Sequence, residues 1–456
     1  MNKAPGPSSS DFGVRNVYRF ATDTLGLLDE LKETYGDVAR MQLFGKPWYM
    51  LTHPDDLEQV FVKHSKVMLR DKYVEILKRS LGMGLLTNDG DSHKRQRKLM
   101  APAFSPRRIQ EYGTTMASVG DQALRTWRNA QEINVHDEMS RVTLEVVAEV
   151  LFGAGVTEHQ VNTVRDAMVV ANEFYANSPE AVFMVPEWVP TPRNRRLTAA
   201  VRSIDDVLFQ IIQKRRRGEP REDLLGLLLG ARDDSGASMS DQQLRDEAIT
   251  LFLAGHETTA LALAHTMYLL ALYPDIERRL YAEIAQVLDG RLPTVADMPK
   301  LVFTERVVKE SMRLYPPAWT TGRETAEEVE VGGYRIEKGA QLLLPQWVVH
   351  RDPRWFPNPA AFDPDRWADP SSIPRYAYFP FGGGHRVCIG NHFAMMEAML
   401  LLAITVQRYR LELLPNQRLE LAPSVTLRPK GPGIRMRVHE RPRLARSIRP
   451  AAQPAA

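Results

Sequence analysis

Apolar residues recur at helical spacing over most of the chain, and strand-like alternation is confined to a few short runs. Near the N-terminus, Tyr35 to Leu43 and Trp48 to Leu51 alternate and predict two short strands. Helical patterns follow at Pro54–His64, Asp91–Ala101, Ser105–Asn129, Met139–Phe152 and Val161–Asn177. A helix beginning at Asp241, capped by Ser240 or Asp241, runs through the apolar segment Ala248–Leu272. Further helices are predicted over Ile276–Val287, Phe303–Leu314 (stopped by Pro316 and Pro317) and Gly390–Tyr409. Val329 to Ile336 reads as a hairpin turning on Gly332 and Gly333, and Asp352–Gly384 as a long irregular stretch. Between Val182 and Pro192 lies an apolar, proline-punctuated loop of the kind that lines binding sites or packs on a surface.

The pattern contains no repeat and no long linker. It predicts one large domain over residues 11–440, with disordered ends at 1–10 and 441–456. Composition agrees with a globular protein: 456 residues, 44% hydrophobic and 25% charged. A net charge of +3 calls for no nucleic acid. The basic runs Lys94–Lys98 and Lys214–Arg217 read first as solvated helix faces. The N-terminal residues lack an apolar signal segment. His256, Glu257 and His265 interrupt the longest apolar stretch, so it reads as a buried helix rather than a membrane span. A cytoplasmic protein without a membrane anchor is expected.

One cysteine is present, Cys388, which excludes an intrachain disulfide and fits a reducing compartment. A lone cysteine is usually a small buried apolar residue, but its surroundings are unusual. Phe381-Gly382-Gly383-Gly384-His385-Arg386-Val387-Cys388-Ile389-Gly390 describes a tight glycine loop ending at a helix N-terminus. Arg386 and the helix end make an electropositive setting that favours a thiolate. Such a thiolate could ligate a metal, attack a carbonyl or bind haem iron. The spacing does not match a dinucleotide fingerprint. A cysteine protease needs a partner histidine, and none is marked out. Zinc lacks a second cysteine and a histidine pair.

Phe381, Gly384, Arg386, Cys388 and Gly390 fill every fixed position of the haem-binding loop of the cytochrome P-450 superfamily, and the chain resembles that family. The resemblance implies that Cys388 is the axial thiolate of haem b (iron protoporphyrin IX), that Arg386 pairs with a propionate and that Phe381 packs beside the sulfur. Thiolate ligation favours O–O cleavage.

Ala254-Gly255-His256-Glu257-Thr258-Thr259 resembles the oxygen-activating helix of the same family. A zinc-protease helix would need histidine where Ala260 stands. Glu257 and Thr258 then form the acid–alcohol pair that relays protons to dioxygen. Glu310 and Arg313 alone read as a surface ion pair. With Pro359 to Trp367 downstream they resemble the family's buried network of Glu310, Arg313 and Arg366. His93 and Arg97, at i and i+4, and Arg323 complete the propionate ligands by resemblance; relatives often carry tryptophan at the His93 position. These landmarks span Asp91 to Gly390.

The implied fold is mainly α with a small β-rich lobe, the cytochrome P-450 fold. The implied activity is insertion of one atom of O2 into a lipophilic small molecule such as a fatty acid, terpenoid or polyketide-like compound. Electrons would come from a separate ferredoxin or flavodoxin docking near Lys94–Lys98, since the chain carries no fused electron-transfer domain. The protein is expected to act as a monomer. A peroxygenase, an isomerase or dehydratase, and a non-catalytic haem sensor are the other classes; the presence of both Glu257 and Thr258 argues against the first two. By family position the cavity draws on Tyr73–Leu86, Phe174–Val185, Leu251–Ala254, Pro317–Thr321 and Val425–Thr426, a largely apolar lining.

Overall fold

The computed structural model describes residues 3–7, 12–153, 156–177, 185–186, 188–219 and 221–442. Helices dominate, as the spacing of apolar positions predicts. Two of them, α1 (Val14–Thr22) and α2 (Thr24–Tyr35), precede β1 (Val38–Leu43) and β2 (Lys46–Leu51). α3 (Pro54–Glu58) runs into a π-helical turn at Gln59–Lys63, and β3 (Met68–Leu69) leads to α4 (Lys72–Leu81) and α5 (Gly90–Met100). Asp71 starts α4 by accepting from the N–H groups of Tyr73 at 2.8 Å and Val74 at 3.1 Å.

α6 (Pro106–Leu124) ends short of the expected Asn129, and α7 (Val135–Phe152) begins before the expected Met139. Sheet pairing is the cause. β4 (Glu132–Asn134) is drawn against β12 (Arg435–Glu440), and the Asn134 side chain caps α7 through the His136 N–H at 3.2 Å. α8 (Glu158–Asn177), α9 (Pro192–Arg217) and α10 (Leu224–Gly230) follow. The Lys214–Arg217 run closes α9, but it is not simply a solvated face: Arg215 pairs with Asp223 and Arg216 with Asp241.

α11 (Asp241–Leu272) matches the expected helix, and Ser240 is its cap, accepting from the Gln243 N–H at 3.1 Å. α12 (Pro274–Leu288), α13 (Val302–Leu314), the short α14 (Gln346–Val349) and α15 (Asn391–Arg408) complete the helices. The smaller lobe is a five-stranded sheet in the order β1-β2-β8-β5-β3, with β5 at Thr321–Thr325 and β8 at Gln341–Leu344. β6 (Val329–Val331) and β7 (Tyr334–Ile336) are the predicted hairpin, turning on Gly332 and Gly333 at φ 61° and 77°. β9 (Tyr409–Leu413) joins β12 and β4, and β10 (Leu421–Pro423) pairs with β11 (Leu427–Pro429).

Of the ends expected to be disordered, residues 3–7 lie against β1: Ala4 is buried, and the Pro5 carbonyl accepts from the Arg40 N–H at 2.7 Å. Arg441 is likewise held, its N–H donating to Arg408 O at 2.7 Å and its guanidinium paired with Glu277. Residues 8–11 and 443–456 lie outside the described residues, as do 178–184 of the expected cavity lining.

The core divides around α11. One apolar cluster joins it to α4, α7, α9 and α10, and another joins it to α6, α7, α12, α13 and α15. At about 25 cal/mol per Å2 of buried apolar surface, this packing is the main force holding the helices on one another. No helix among the described residues is long and apolar enough to cross a membrane.

Candidate active site

α11 is buried along most of its length, and one short stripe departs from that rule. Leu251, Gly255 and Thr258 are half-buried and Ala254 is exposed, while Phe252, His256 and Thr259 beside them are buried. The open positions fall at i, i+3, i+4 and i+7, which is a single helix face. A helix enclosed on its other sides with an open stripe at mid-length borders an internal space.

Cys388 presents the same combination. Its side chain is exposed, yet it stands deep enough in the protein for burial to push the thiol up. The Gly390 N–H and Arg97 oppose that rise without overcoming it. The Gly390 N–H and Arg97 are thus the groups that favour the thiolate here, and a cationic metal bound to the sulfur would add to them.

The loop carrying the sulfur is built by close approach. Gly382 and Gly384 have φ of 72° and 65°, and a Cβ at Gly384 would stand 2.0 Å from the Phe61 carbonyl oxygen. Cys388 N–H donates to Phe381 O at 3.0 Å, closing the turn. Phe381 itself is half-buried against the apolar cluster of α12, α13 and α15.

Around this loop lies a concentration of positive charge. Arg386 donates to the Asn88 carbonyl at 2.9 Å and pairs with Asp89. Arg97 donates to the Val387 carbonyl at 2.8 Å. Arg323 is buried, donates to Gly322 O at 2.7 Å and stands 5.7 Å from the Phe61 ring. His93 is buried, with its ring 5.9 Å from that of His385. Arg70 joins them, a residue that no local motif marks.

These cations raise one another's cost. Burial, then Arg386, holds Arg323 down at about 10. Burial, then Arg386, Arg70, His385 and Arg97, pushes His93 down to about 3. Burial and the neighbouring Arg323 and Arg386 pull Arg70 well below its ordinary value. Asp71 and Asp89 offset only part of this. The Nε groups of Arg70 and Arg386 are buried with no hydrogen-bond partner among the described residues. Buried donors of this kind call for acceptors. A planar dianion whose carboxylates reach the arginines and whose metal reaches Sγ matches both demands, and haem is such a group.

Glu257 and Thr258 do not hydrogen-bond to each other. Thr258 Oγ1 donates to Ala254 O at 2.7 Å. The Glu257 carboxylate accepts from Thr426 Oγ1 at 2.6 Å and Arg428 Nε at 2.5 Å on one oxygen, and from Asn172 Nδ2 at 3.0 Å on the other. Burial alone would raise this carboxyl; Arg428 and the Thr426 hydroxyl outweigh it and hold it below its ordinary value. Asn172 and Arg428, which touch the acid, are missed by sequence reading because their segments carry no signature.

The expected charge network is present, with Glu310 and Arg313 fully buried and Arg366 partly so. Arg313 meets Glu310 in two bonds of 2.9 Å, Arg366 Nε donates to the same carboxylate at 2.8 Å, and Trp367 Nε1 adds a third donor at 2.9 Å. Arg313 also donates to the carbonyls of His350, Pro359 and Ala361, pinning the irregular segment to α13. The Lys94–Lys98 run is less basic than its sequence suggests. Lys94 pairs with Asp91, Arg95 with Asp233 and Lys98 with Asp234, which neutralises much of the charge expected to dock an acidic partner.

Comparison with known proteins agrees with this geometry. The family described as cytochrome P450 matches residues 12–435. The chain is 36% identical over 399 residues to cyclooctatin synthase of Streptomyces melanosporofaciens, covering 86% of this chain and 87% of that protein. It is 33% identical over 388 residues to pentalenene oxygenase of Streptomyces avermitilis, covering 84% and 86%. Among solved structures, retinoic acid-bound cyanobacterial CYP120A1 superposes with a TM-score of 0.84 at 27% identity, over 97% of this chain and 100% of that one.

Proposed function

The chain belongs to the cytochrome P450 family and is a haem-thiolate monooxygenase, and we propose that its substrate is a terpenoid skeleton and its electron donor a separate ferredoxin or flavodoxin. The observation that carries the site assignment is the exposed Cys388 sulfur deep in the protein, beside buried arginine N–H groups that lack acceptors.

Cys388 is the residue to ligate the iron through Sγ. Arg70, His93, Arg97, Arg323 and Arg386 would hold the propionates, and the group is haem b in this reading. When bound, the haem supplies activation of O2, with one oxygen atom inserted into a C–H bond and the other released as water. The small Ala254 leaves room on α11, and Gly255 lets the helix approach α7 closely, since a Cβ there would meet Val147 at 2.9 Å. Thr258 presents a hydroxyl at the open stripe to orient and pass a proton, and Glu257 is the nearby acid that replenishes it.

The terpenoid assignment draws on the relatives named for cyclooctatin and pentalenene chemistry. It also draws on an apolar lining in which Val425 is exposed and Leu251 half-buried. Such a lining orients an alicyclic hydrocarbon by shape and excludes water from the reacting atoms. Incubation with sesquiterpene and diterpene hydrocarbons and alcohols, a surrogate ferredoxin and its reductase tests it. A product carrying one added oxygen, together with a substrate-induced Soret shift, is expected. Shifts and turnover with fatty acids but no terpenoid would overturn the substrate assignment.

A further inference from the structure

Glu257 is the meeting point of three elements. Asn172 reaches it from α8, and Thr426 and Arg428 reach it from the β10–β11 hairpin, all within 3.0 Å of its two oxygens. Arg428 is half-buried, so its guanidinium extends inward from the surface to an acid that is almost wholly enclosed. Exposed Val425 stands at the tip of the same hairpin, next to Thr426.

We propose that Arg428 is a positioning residue that ties Glu257 to the β10–β11 hairpin and, with Asn172, to α8, so that the acid beside Thr258 and the apolar wall at Val425 are held as one unit. The proposal rests on the reading that Glu257 serves the Thr258 stripe, and it adds a residue outside every motif of the chain.

The electrostatics single out Arg428. The titratable and charged groups facing Glu257 are Arg428 from β11, His256 from α11 and His136 from α7. Burial holds both histidines below their ordinary values, so they are neutral near pH 7. His256 Nδ1 is moreover 2.9 Å from Phe252 O, within its own helix. Arg428 is thus the group that keeps a buried carboxylate ionised. An ionised carboxylate accepts from Thr426, Arg428 and Asn172 together; a protonated one carries an O–H on one oxygen and accepts less there, and the three-way contact loosens. Loss of Arg428 therefore changes the acid's charge and frees the hairpin at the same time.

The test uses the haem-loaded protein and three variants: Arg428→Gln, Arg428→Lys and Thr426→Val. Arg428→Gln should show an infrared band of a protonated carboxylic acid at neutral pH that is absent from the wild type and vanishes when Glu257→Gln is added. Amide hydrogen exchange should quicken in the β10–β11 hairpin and in α8, and Arg428→Lys should restore both properties. Absence of either change in Arg428→Gln overturns the proposal. Should Arg428→Gln not retain its fold, Thr426→Val is read instead and must quicken exchange in the hairpin while Glu257 stays ionised; unchanged exchange overturns the tie. Product yield per electron in Glu257→Gln separates the two ideas. If it is unchanged while Arg428→Gln behaves as expected, the proton role of Glu257 fails and the tie stands. If it falls while Arg428→Gln shows neither change, the tie fails and the proton role stands.

Discussion

Thr258 and Glu257 are neighbours in sequence whose side chains are held in opposite ways. The hydroxyl bonds only within α11, to the Ala254 carbonyl at 2.7 Å, whereas the carboxylate is bound by two other elements. The threonine can therefore release its local bond and turn to a ligand at little cost. Thr258→Ala should retain haem and stability while diverting electrons from product to hydrogen peroxide. The yield of product per NADH should fall by about 100-fold or more, as the range attributed to a positioned proton donor implies. Unchanged coupling would remove Thr258 from the reaction.

Cys388→Ala leaves the glycine loop intact but removes the sulfur. Reduced wild-type protein with carbon monoxide should show the red-shifted band of thiolate ligation, and the variant should lack it. A wild-type spectrum of the imidazole type would contradict axial ligation by Cys388.

Arg70 offers a test of the proposed cationic cradle, because its buried Nε has no hydrogen-bond partner among the described residues and Arg323 and Arg386 stand beside it. A charge-assisted hydrogen bond to a carboxylate contributes about 1.5–3 kcal/mol. Arg70→Gln should therefore speed haem loss to a scavenger protein by about 10- to 100-fold, with the thiolate spectrum of the remaining holoprotein unchanged. A wild-type loss rate would remove Arg70 from the cradle.

The wholly buried Glu310 carboxylate holds the wholly buried Arg313, together with Trp367 and the partly buried Arg366. Removing one partner of such a pair strands the other charge, at a cost of about 3–5 kcal/mol. Glu310→Gln should lower the melting temperature accordingly and reduce haem incorporation, as measured by calorimetry and the ratio of Soret to protein absorbance. A variant as stable as the wild type would show that the network does not hold the irregular segment in place.

Two further buried acids set a dependence on pH. Burial pushes Glu247 and Glu397 up to about 8, well above their ordinary 4.5. Between those values each is protonated in the folded protein and ionised in the unfolded chain. The native state then binds more protons, so stability falls as pH rises from about 4.5 to about 8 and levels off above. Glu397→Gln should flatten part of this slope in denaturant titrations of the protein from pH 5 to 9. An unchanged slope would mean that Glu397 is ionised in the fold.

Much of this was readable along the chain because it depends on local spacing. α11, the hairpin at Gly332 and Gly333, and the glycine loop at Cys388 are each specified by residues within a few turns of one another. The partners of those features were not readable. Arg70 stands beside Arg323, more than 250 residues later, because β3 pairs with β5 and sets Leu69 opposite Glu324. Thr426 and Arg428 reach Glu257 by a hairpin with no signature, and α6 stops at Leu124 because β12, over 300 residues away, claims β4.

The sequence by itself marked Cys388, the α11 segment around Glu257 and Thr258, and, through their resemblance to the family, the class of reaction, since the motifs that carry the resemblance are residue types at fixed short offsets. Only the tertiary structure decided that burial opposes ionisation of Cys388, that Lys94, Arg95 and Lys98 pair with Asp91, Asp233 and Asp234, and that Glu257 is held by Arg428. Charge states and charge pairs depend on burial and on distances between remote segments, which no short window of sequence contains.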